Sequence, residues 1–145
     1  EEVDTEWVIE QNPDIIIIAS NLIEAKGGSS FAGYDLDDPS QMARERDDFL
    51  SRPELAEVNA VKNGRVYMME YKLFSYSQSM IVGAVYLAKW IYPDLDLNPE
   101  KIHQEYLSRF QHLDYDLNEH GVFAYPPIEV ESGLAGIPDR FAGQI

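Results

Sequence analysis

Four consecutive isoleucines, Ile15 to Ile18, constrain the fold of this chain more than any other feature. A strand with one face in water alternates apolar and polar residues, so this unbroken apolar run predicts a strand buried on both faces. A second strand is predicted at about 65–70, because Asn63-Gly64 supplies the positive φ of a tight turn just before it. A helical pattern precedes each turn. Helix, turn and buried strand, repeated, predict an α/β fold with a parallel sheet.

Signals for helix ends divide the rest of the chain. Asp4 is a candidate N-cap, and Pro39 and Pro99 suit the first turn of two further helices. A strongly apolar helix ends near Tyr92 and should pack against the sheet over most of its circumference. Residues 20–38 form a long polar connection, which in a compact domain is usually functional or mobile.

The composition changes to proline and glycine from Gly121 onward. We therefore expect residues 1–120 to form one lobe and residues 121–145 to be a C-terminal tail, extended or partly disordered. Only two strong strands are visible, with a third candidate at 122–125. A parallel sheet normally contains more strands, and the chain begins without methionine, so we interpret it as a fragment of a larger lobe.

The charge balance disfavours two classes of partner. The chain has 26 acidic and 11 basic residues and a net charge of −15, which disfavours nucleic acid and anionic lipid. This charge is either a solubilising coat or a field that attracts cations. The absence of cysteine excludes disulfides, thiolate nucleophiles and zinc–thiolate sites. No apolar run approaches the ~18 residues of a membrane span.

Known catalytic and metal motifs are missing. His103, His112 and His120 are nine and eight residues apart, which does not place two imidazoles on one helix face, so we expect surface or capping roles. Two aspartate-rich segments imitate a calcium loop, but Glu119 and Pro99 stand where that loop needs glycine. Phosphate-cradling glycine motifs and the G-x-S-x-G elbow are absent. We expect no cofactor and no metal held by protein side chains.

The loops that follow the two strands form the candidate site, since ligands bind at the carboxyl ends of parallel strands. Their aromatic rings, hydroxyls, amide and amine suit a bulky, partly polar ligand, and Lys72 can pair with an anionic group. Phe74 and Tyr76 suit the core equally well, and Lys72 suits solvent. The candidate ligand-binding residues are Ser20, Asn21, Leu22, Tyr71, Lys72, Phe74, Ser75, Tyr76 and Ser77.

Four segments, in this order and spacing, form a family pattern over roughly residues 3–110. They are Val3-Asp4-x-Glu6, Asn12-Pro13-Asp14-Ile15-Ile16, Asn59-Ala60-Val61-Lys62-Asn63-Gly64-Arg65-Val66-Tyr67 and Tyr86-Leu87-Ala88-Lys89-Trp90-Ile91-Tyr92-Pro93. On these segments the sequence resembles the substrate-binding proteins of ABC importers for ferric siderophores, haem and cobalamin. The resemblance implies a truncated C-terminal lobe of a bilobal solute-binding protein, built as a three-layer, Rossmann-like parallel sheet.

The resemblance also implies a function and partners. Such a protein captures an iron–siderophore or related metal chelate outside the cytoplasmic membrane, where a lipid or wall anchor holds it, and delivers the chelate to an ABC permease. It is not an enzyme, and the chelate itself satisfies the metal. The missing N-terminal lobe would be a further partner, and the exposed cleft face would allow self-association of the fragment. In this family the loop after the second strand commonly touches ligand, although the arginine that some relatives carry there is not evident.

Two other classes of function remain open. A small α/β hydrolase or transferase would use Ser20 or Ser77 with a distant histidine, which requires a base within about 2.6–3.2 Å of the hydroxyl. An interaction domain would bind a basic partner through its acidic face, and that binding would depend strongly on salt.

Overall fold

The computed structural model of the chain describes residues 4–20 and 32–144. Two of the candidate ligand-binding residues, Asn21 and Leu22, lie outside these ranges. The α-helices are α1 (Thr5–Gln11), α2 (Ser40–Leu50), α3 (Asn59–Lys62), α4 (Lys72–Ser75), α5 (Met80–Ile91) and α6 (Pro99–Glu105), which continues as one π-helical turn over Tyr106–Phe110. Short 3₁₀ turns lie at Pro53–Leu55 and Asp139–Phe141. The strands are β1 (Ile16–Ser20), β2 (Val66–Glu70), β3 (Ala124–Tyr125), β4 (Ile128–Val130) and β5 (Gly133–Ala135).

The first two strands are parallel, as the sequence predicts. Their register runs from Ile16 opposite Val66 to Ser20 opposite Glu70, and the main sheet has the order β1-β2-β3. Successive residues of β2 point to opposite faces. Met69 packs in a cluster with residues of α5, whereas Met68 packs in a cluster with Met42 of α2. Helices therefore cover both faces of β2, which confirms the three-layer α/β arrangement.

The helix starts follow the predicted caps closely. Asp4 caps α1 by accepting a hydrogen bond from the Glu6 N–H at 2.9 Å. Asn98 caps α6 in the same way, accepting from the Lys101 N–H at 3.0 Å with Pro99 in the first turn. Pro39 immediately precedes α2. Local capping chemistry alone thus places three helix starts within a residue of prediction.

The C-terminal segment differs from the expectation of an extended or partly disordered tail. Residues 122–137 contribute buried apolar side chains to the same core as the main sheet, and β3 pairs antiparallel with β2. Strands β4 and β5 then form an antiparallel hairpin. Glycine and proline here build close approaches: at Gly136 a Cβ would lie 2.7 Å from the Ala124 Cβ. The segment completes the core because its apolar residues find partners far away in the sequence.

The isoleucine strand also differs from prediction. Ile16 to Ile18 are only half-buried, although the unbroken apolar run predicted burial on both faces. Within the described residues β1 pairs with β2 alone and lies at the edge of the sheet. Its other edge and part of its surface therefore stay open.

Candidate functional site

The carboxyl ends of β1 and β2 lie side by side, as the parallel sheet requires. Ser20 pairs with Glu70 in the register, and both side chains are buried. The Ser20 hydroxyl donates a hydrogen bond to the Met69 carbonyl at 2.9 Å. This bond ties the two strands together at their ends, so in the described structure Ser20 has a structural task. Contact between Ser20 and a ligand stays a prediction.

The segment after β2 is hydrogen-bonded to the end of β1. The Tyr71 N–H donates to the Ser20 carbonyl at 3.2 Å, which extends the ladder by one residue before the chain turns into α4. The ring of Phe74 meets the Tyr71 ring edge-on, with centroids 5.7 Å apart. Phe74 is half-buried against the core cluster around Met69, so it supports the exposed Tyr71 ring from below.

Most of the predicted residues in this segment reach the surface. Tyr71, Lys72, Tyr76 and Ser77 are exposed, and Tyr76 keeps 54% of its surface in solvent. Ser75 is half-buried, and its hydroxyl has no hydrogen-bond partner among the described residues. The structure thus brings together aromatic faces, hydroxyls and one amine at the strand ends.

Sequence reasoning missed two residues beside them. Met80 and Ile81 begin α5 and are 51% and 61% exposed, although the helix as a whole was expected to be packed. No sequence signal set them apart, because both are apolar residues of an apolar helix and only the packing of α5 leaves its first turn exposed. The strand-end surface is therefore defined here as Tyr71, Lys72, Tyr76, Ser77, Met80 and Ile81.

The corner between α4 and α5 is held rigidly beneath this surface. The Ser79 hydroxyl donates to the Lys72 carbonyl at 2.6 Å and lies 3.3 Å from the Tyr76 carbonyl. Gly83 lets α5 approach α4 so closely that an added Cβ would collide with the Leu73 carbonyl oxygen. Preorganisation of this kind lowers the entropic cost of binding a ligand.

The long connection after β1 is anchored at its far end by His103. This histidine was expected at the surface or at a cap, but it is fully buried on α6, and that expectation is wrong. Its Nε2 lies 2.9 Å from the Tyr34 hydroxyl, and its ring meets Phe123 edge-on at 4.7 Å. Burial lowers the pKa of His103 to about 3, so the imidazole is neutral near pH 7. The imidazole ring is buried because it packs among aromatic side chains of the core.

A second anchor joins the same connection to the C-terminal segment. Asp37 lies 3.0 Å from His120 Nδ1 and accepts a hydrogen bond from the Gly121 N–H at 3.1 Å. The Arg140 guanidinium donates to the Asp37 carbonyl at 2.9 Å. The hydrogen bond from His120 is the largest cause that lowers the pKa of the Asp37 carboxyl. Residues 32–38 are therefore fixed from two sides.

Catalytic and metal sites find no support in the parts of the chain that the structure describes. Ser20 bonds to a backbone carbonyl, His103 to Tyr34 and His120 to Asp37, and no hydrogen bond found in 4–20 and 32–144 joins Ser20 or Ser77 to a histidine. Asp116 accepts from the Asn118 N–H within a local turn. Across those ranges no group of three or more His, Cys, Asp or Glu side chains is placed to hold a metal ion. No described helix has the length and apolar character needed to cross a membrane.

Comparisons with known proteins agree on one family. A family model described as periplasmic binding protein matches residues 1–73. The fold is similar to the crystal structure of the TroA-like periplasmic binding protein FepB from Veillonella parvula, with a TM-score of 0.64 and 27% sequence identity. That match covers 86% of this chain but only 35% of the Veillonella protein, so the chain spans about a third of its length. No curated protein matches the chain. Because the family model matches half of the chain and the fold agrees with that of a family member, the chain belongs to the periplasmic binding protein family of ABC importers.

Proposed function

We propose that this chain is part of the C-terminal lobe of an extracytoplasmic solute-binding protein that captures a metal chelate for an ABC permease. Family membership points to a location outside the cytoplasmic membrane and to a binding role rather than catalysis. Anchoring at the outer face of that membrane is part of the proposal. The lobe would supply one wall of the ligand cleft, and a second lobe of the same polypeptide would supply the other.

The observation that carries this proposal is the strand-end surface. Two exposed tyrosine rings and two exposed apolar side chains lie there, after the end of a strand in a parallel sheet, where ligands bind. Tyr71 and Tyr76 offer flat faces with hydroxyls, whereas Met80 and Ile81 offer apolar contact. Such a wall suits a large ligand with an apolar or aromatic periphery. The chelate would enclose its own metal and present that periphery to the protein.

Charge narrows the class of chelate. Lys72 is the only cation of the strand-end surface, while the whole chain carries −15. Repulsion between a carboxylate of the protein and an anionic ligand is screened beyond about 8 Å at physiological salt. At shorter distances this repulsion opposes the binding of highly anionic ligands. The proposal therefore favours neutral or weakly charged chelates, with Lys72 available to pair with one anionic group.

A ligand panel tests this proposal directly. A two-lobed form of the protein is titrated with a ferric hydroxamate, a ferric catecholate, haem and cobalamin, following tryptophan fluorescence and thermal unfolding. We expect one class to raise the midpoint of unfolding progressively, with the logarithm of its concentration above Kd, because ligand binds the folded state only. If no chelate binds when both lobes are present, the proposed function is wrong.

A further inference from the structure

A polar cavity of about 510 Å³ lies between α6 and the turn of the β4–β5 hairpin. The helix lines it with Asn98, Glu100, Lys101 and Gln104, and the hairpin turn lines it with Glu131 and Ser132. None of the residues that line this cavity belongs to the strand-end surface. Small-molecule sites have volumes of about 300–1,000 Å³, so the cavity is large enough to hold a small molecule of its own.

Glu100 is the buried acid of this cavity. It keeps only 6% of its surface exposed, and its Oε2 accepts a hydrogen bond from the Ser132 hydroxyl at 2.7 Å. Among residues 4–20 and 32–144 no hydrogen bond to its Oε1 is found. Glutamate is almost never fully buried unless it is paired, because a buried carboxylate loses its hydration. One oxygen of Glu100 is therefore available to a molecule in the cavity.

The part of the chain that the structure describes supplies no cation to Glu100. The ion pairs found there do not include this residue. Lys101 follows Glu100 directly, and adjacent residues of a helix do not face each other. Burial raises the pKa of Glu100, the hydrogen bond from Ser132 lowers it, and the carboxylates of Asp139 and Asp116 raise it further. A buried acid close to other acids favours an added positive charge.

The wall of the cavity is fixed by hydrogen bonds of its own. The Gln104 Nε2 donates to the Tyr115 carbonyl at 2.7 Å, and the Gln104 Oε1 accepts from the Leu117 N–H at 3.3 Å. The fold therefore uses this amide and leaves the carboxylates of Glu100 and the exposed Glu131 for a ligand. A wall that is already ordered lowers the entropic cost of binding.

We propose that this cavity binds a small organic cation that carries primary ammonium or guanidinium groups. Glu100 is the buried acceptor, and Glu131 is the acceptor at the open side. The Ser132 hydroxyl holds the Glu100 carboxylate in place, so that Oε1 can accept from the ligand. The site is separate from the strand-end surface and does not depend on the proposed capture of a chelate.

The chemistry of the cavity favours such a ligand over a metal ion. Ammonium and guanidinium groups carry several N–H donors, and their hydrogen bonds to carboxylates are about twice as strong as neutral ones. Across the described ranges no group of three or more His, Cys, Asp or Glu side chains is placed to hold a metal ion. The net charge of −15 also raises the local concentration of cations around the chain.

Calorimetric titration of the two-lobed protein with agmatine tests the site, because agmatine carries a guanidinium at one end and an ammonium at the other. We expect Kd below about 1 mM, weakening as salt is added, and no binding of the neutral compound butylurea. Nα-acetylargininamide represents an arginine side chain of a protein and should bind at least about 10-fold more weakly than agmatine, because it lacks the second charge.

Three variants that each remove one negative charge locate the binding. Glu100→Gln keeps an oxygen that can accept from Ser132, and it should weaken agmatine binding at least about 30-fold. Glu131→Gln alters an exposed side chain, which makes unfolding no concern, and should weaken binding at least about fivefold. Glu129→Gln is the matched control, because Glu129 is an exposed residue of β4 outside this cavity, and it should change Kd less than about twofold.

Three results would overturn the inference. Absence of agmatine binding to the two-lobed protein means that the cavity is closed there or has no such ligand. Equal losses in E131Q and E129Q mean that the acidic surface as a whole attracts the cation. Nα-acetylargininamide that binds as tightly as agmatine identifies an arginine side chain of a protein as the occupant. Chelate titrations of E100Q should match those of the parent protein, which keeps this test separate from that of the proposed function.

Discussion

The Tyr34 hydroxyl and the Nε2 of His103 lie 2.9 Å apart. This contact joins residues 32–38, the described end of the long connection after β1, to the buried face of α6. The Tyr115 hydroxyl donates to the Tyr34 carbonyl at 2.7 Å, and the Tyr34 ring meets Phe123 edge-on at 4.7 Å. Burial is also the main cause that raises the pKa of Tyr34 above its ordinary value. One side of the candidate ligand face is thus held by a neutral, aromatic cluster.

The buried imidazole makes the fold sensitive to acid. The pKa of His103 falls from 6.5 to about 3 on folding, so the unfolded chain binds one more proton than the folded chain between these values. Stability from His103 is complete above pH 6.5 and is lost as the pH falls, by up to about 1.4 kcal/mol per pH unit. Urea unfolding measured from pH 7 to pH 4 should show this slope.

His103→Phe is the matched variant for that slope, since it keeps an aromatic ring in the core. Its free energy of unfolding should change less with pH than that of the parent chain. The difference between the two slopes should correspond to about one bound proton. Glu100 acts in the opposite direction, because burial raises its pKa and its contribution is lost as the pH rises through that value. Glu100 is present in both proteins and cancels in the comparison. An unchanged slope would show that His103 is not the acid-sensitive group.

Gly83→Ala tests the close contact between α4 and α5. In an ordinary exposed helix this change stabilises by up to about 1 kcal/mol. Here the new methyl group would collide with the Leu73 carbonyl, so we expect destabilisation by about 1–3 kcal/mol instead. Chemical unfolding measures it, with the exposed Ala84→Ser of the same helix as control. A stabilised G83A protein would contradict the tight approach.

Ser20→Ala tests the structural role of Ser20 at the end of β1. Loss of the bond to the Met69 carbonyl should lower the free energy of unfolding by about 1 kcal/mol. Ser77→Ala, which alters an exposed hydroxyl, should change it by less than about 0.5 kcal/mol. Equal effects of the two substitutions on stability would remove the assigned role of Ser20.

Tyr76→Ala should weaken chelate binding in a two-lobed protein without unfolding it. Tyr76 is 54% exposed just before α5, and Tyr92 is 63% exposed just after the same helix. We expect Y76A to raise Kd about tenfold, or roughly 1.4 kcal/mol, and Y92A to leave Kd unchanged. Calorimetric titration measures both. Equal losses in the two variants would argue against the strand-end surface as the ligand wall.

Local chemistry in the sequence was enough to predict the first two strands, three helix starts and the edge of the sheet at which the candidate site was placed. The isoleucine run, the Asn63-Gly64 turn and the caps at Asp4 and Asn98 act on neighbouring residues, so short windows reveal them. The family pattern rests on the same segments. Those signals predicted where Tyr71, Lys72 and Tyr76 would emerge.

Tertiary structure alone decided the burial of His103, the pairing of Met68 with Tyr125 and the exposure of Met80 and Ile81. Each depends on contacts between residues far apart in the sequence, and local propensity does not encode which distant partner will be present. The C-terminal segment looked disordered because glycine and proline weaken local order, but its apolar residues found a core. The isoleucine strand differs for the converse reason: its sequence is that of an interior strand, whereas only its neighbours could decide that it lies at an edge.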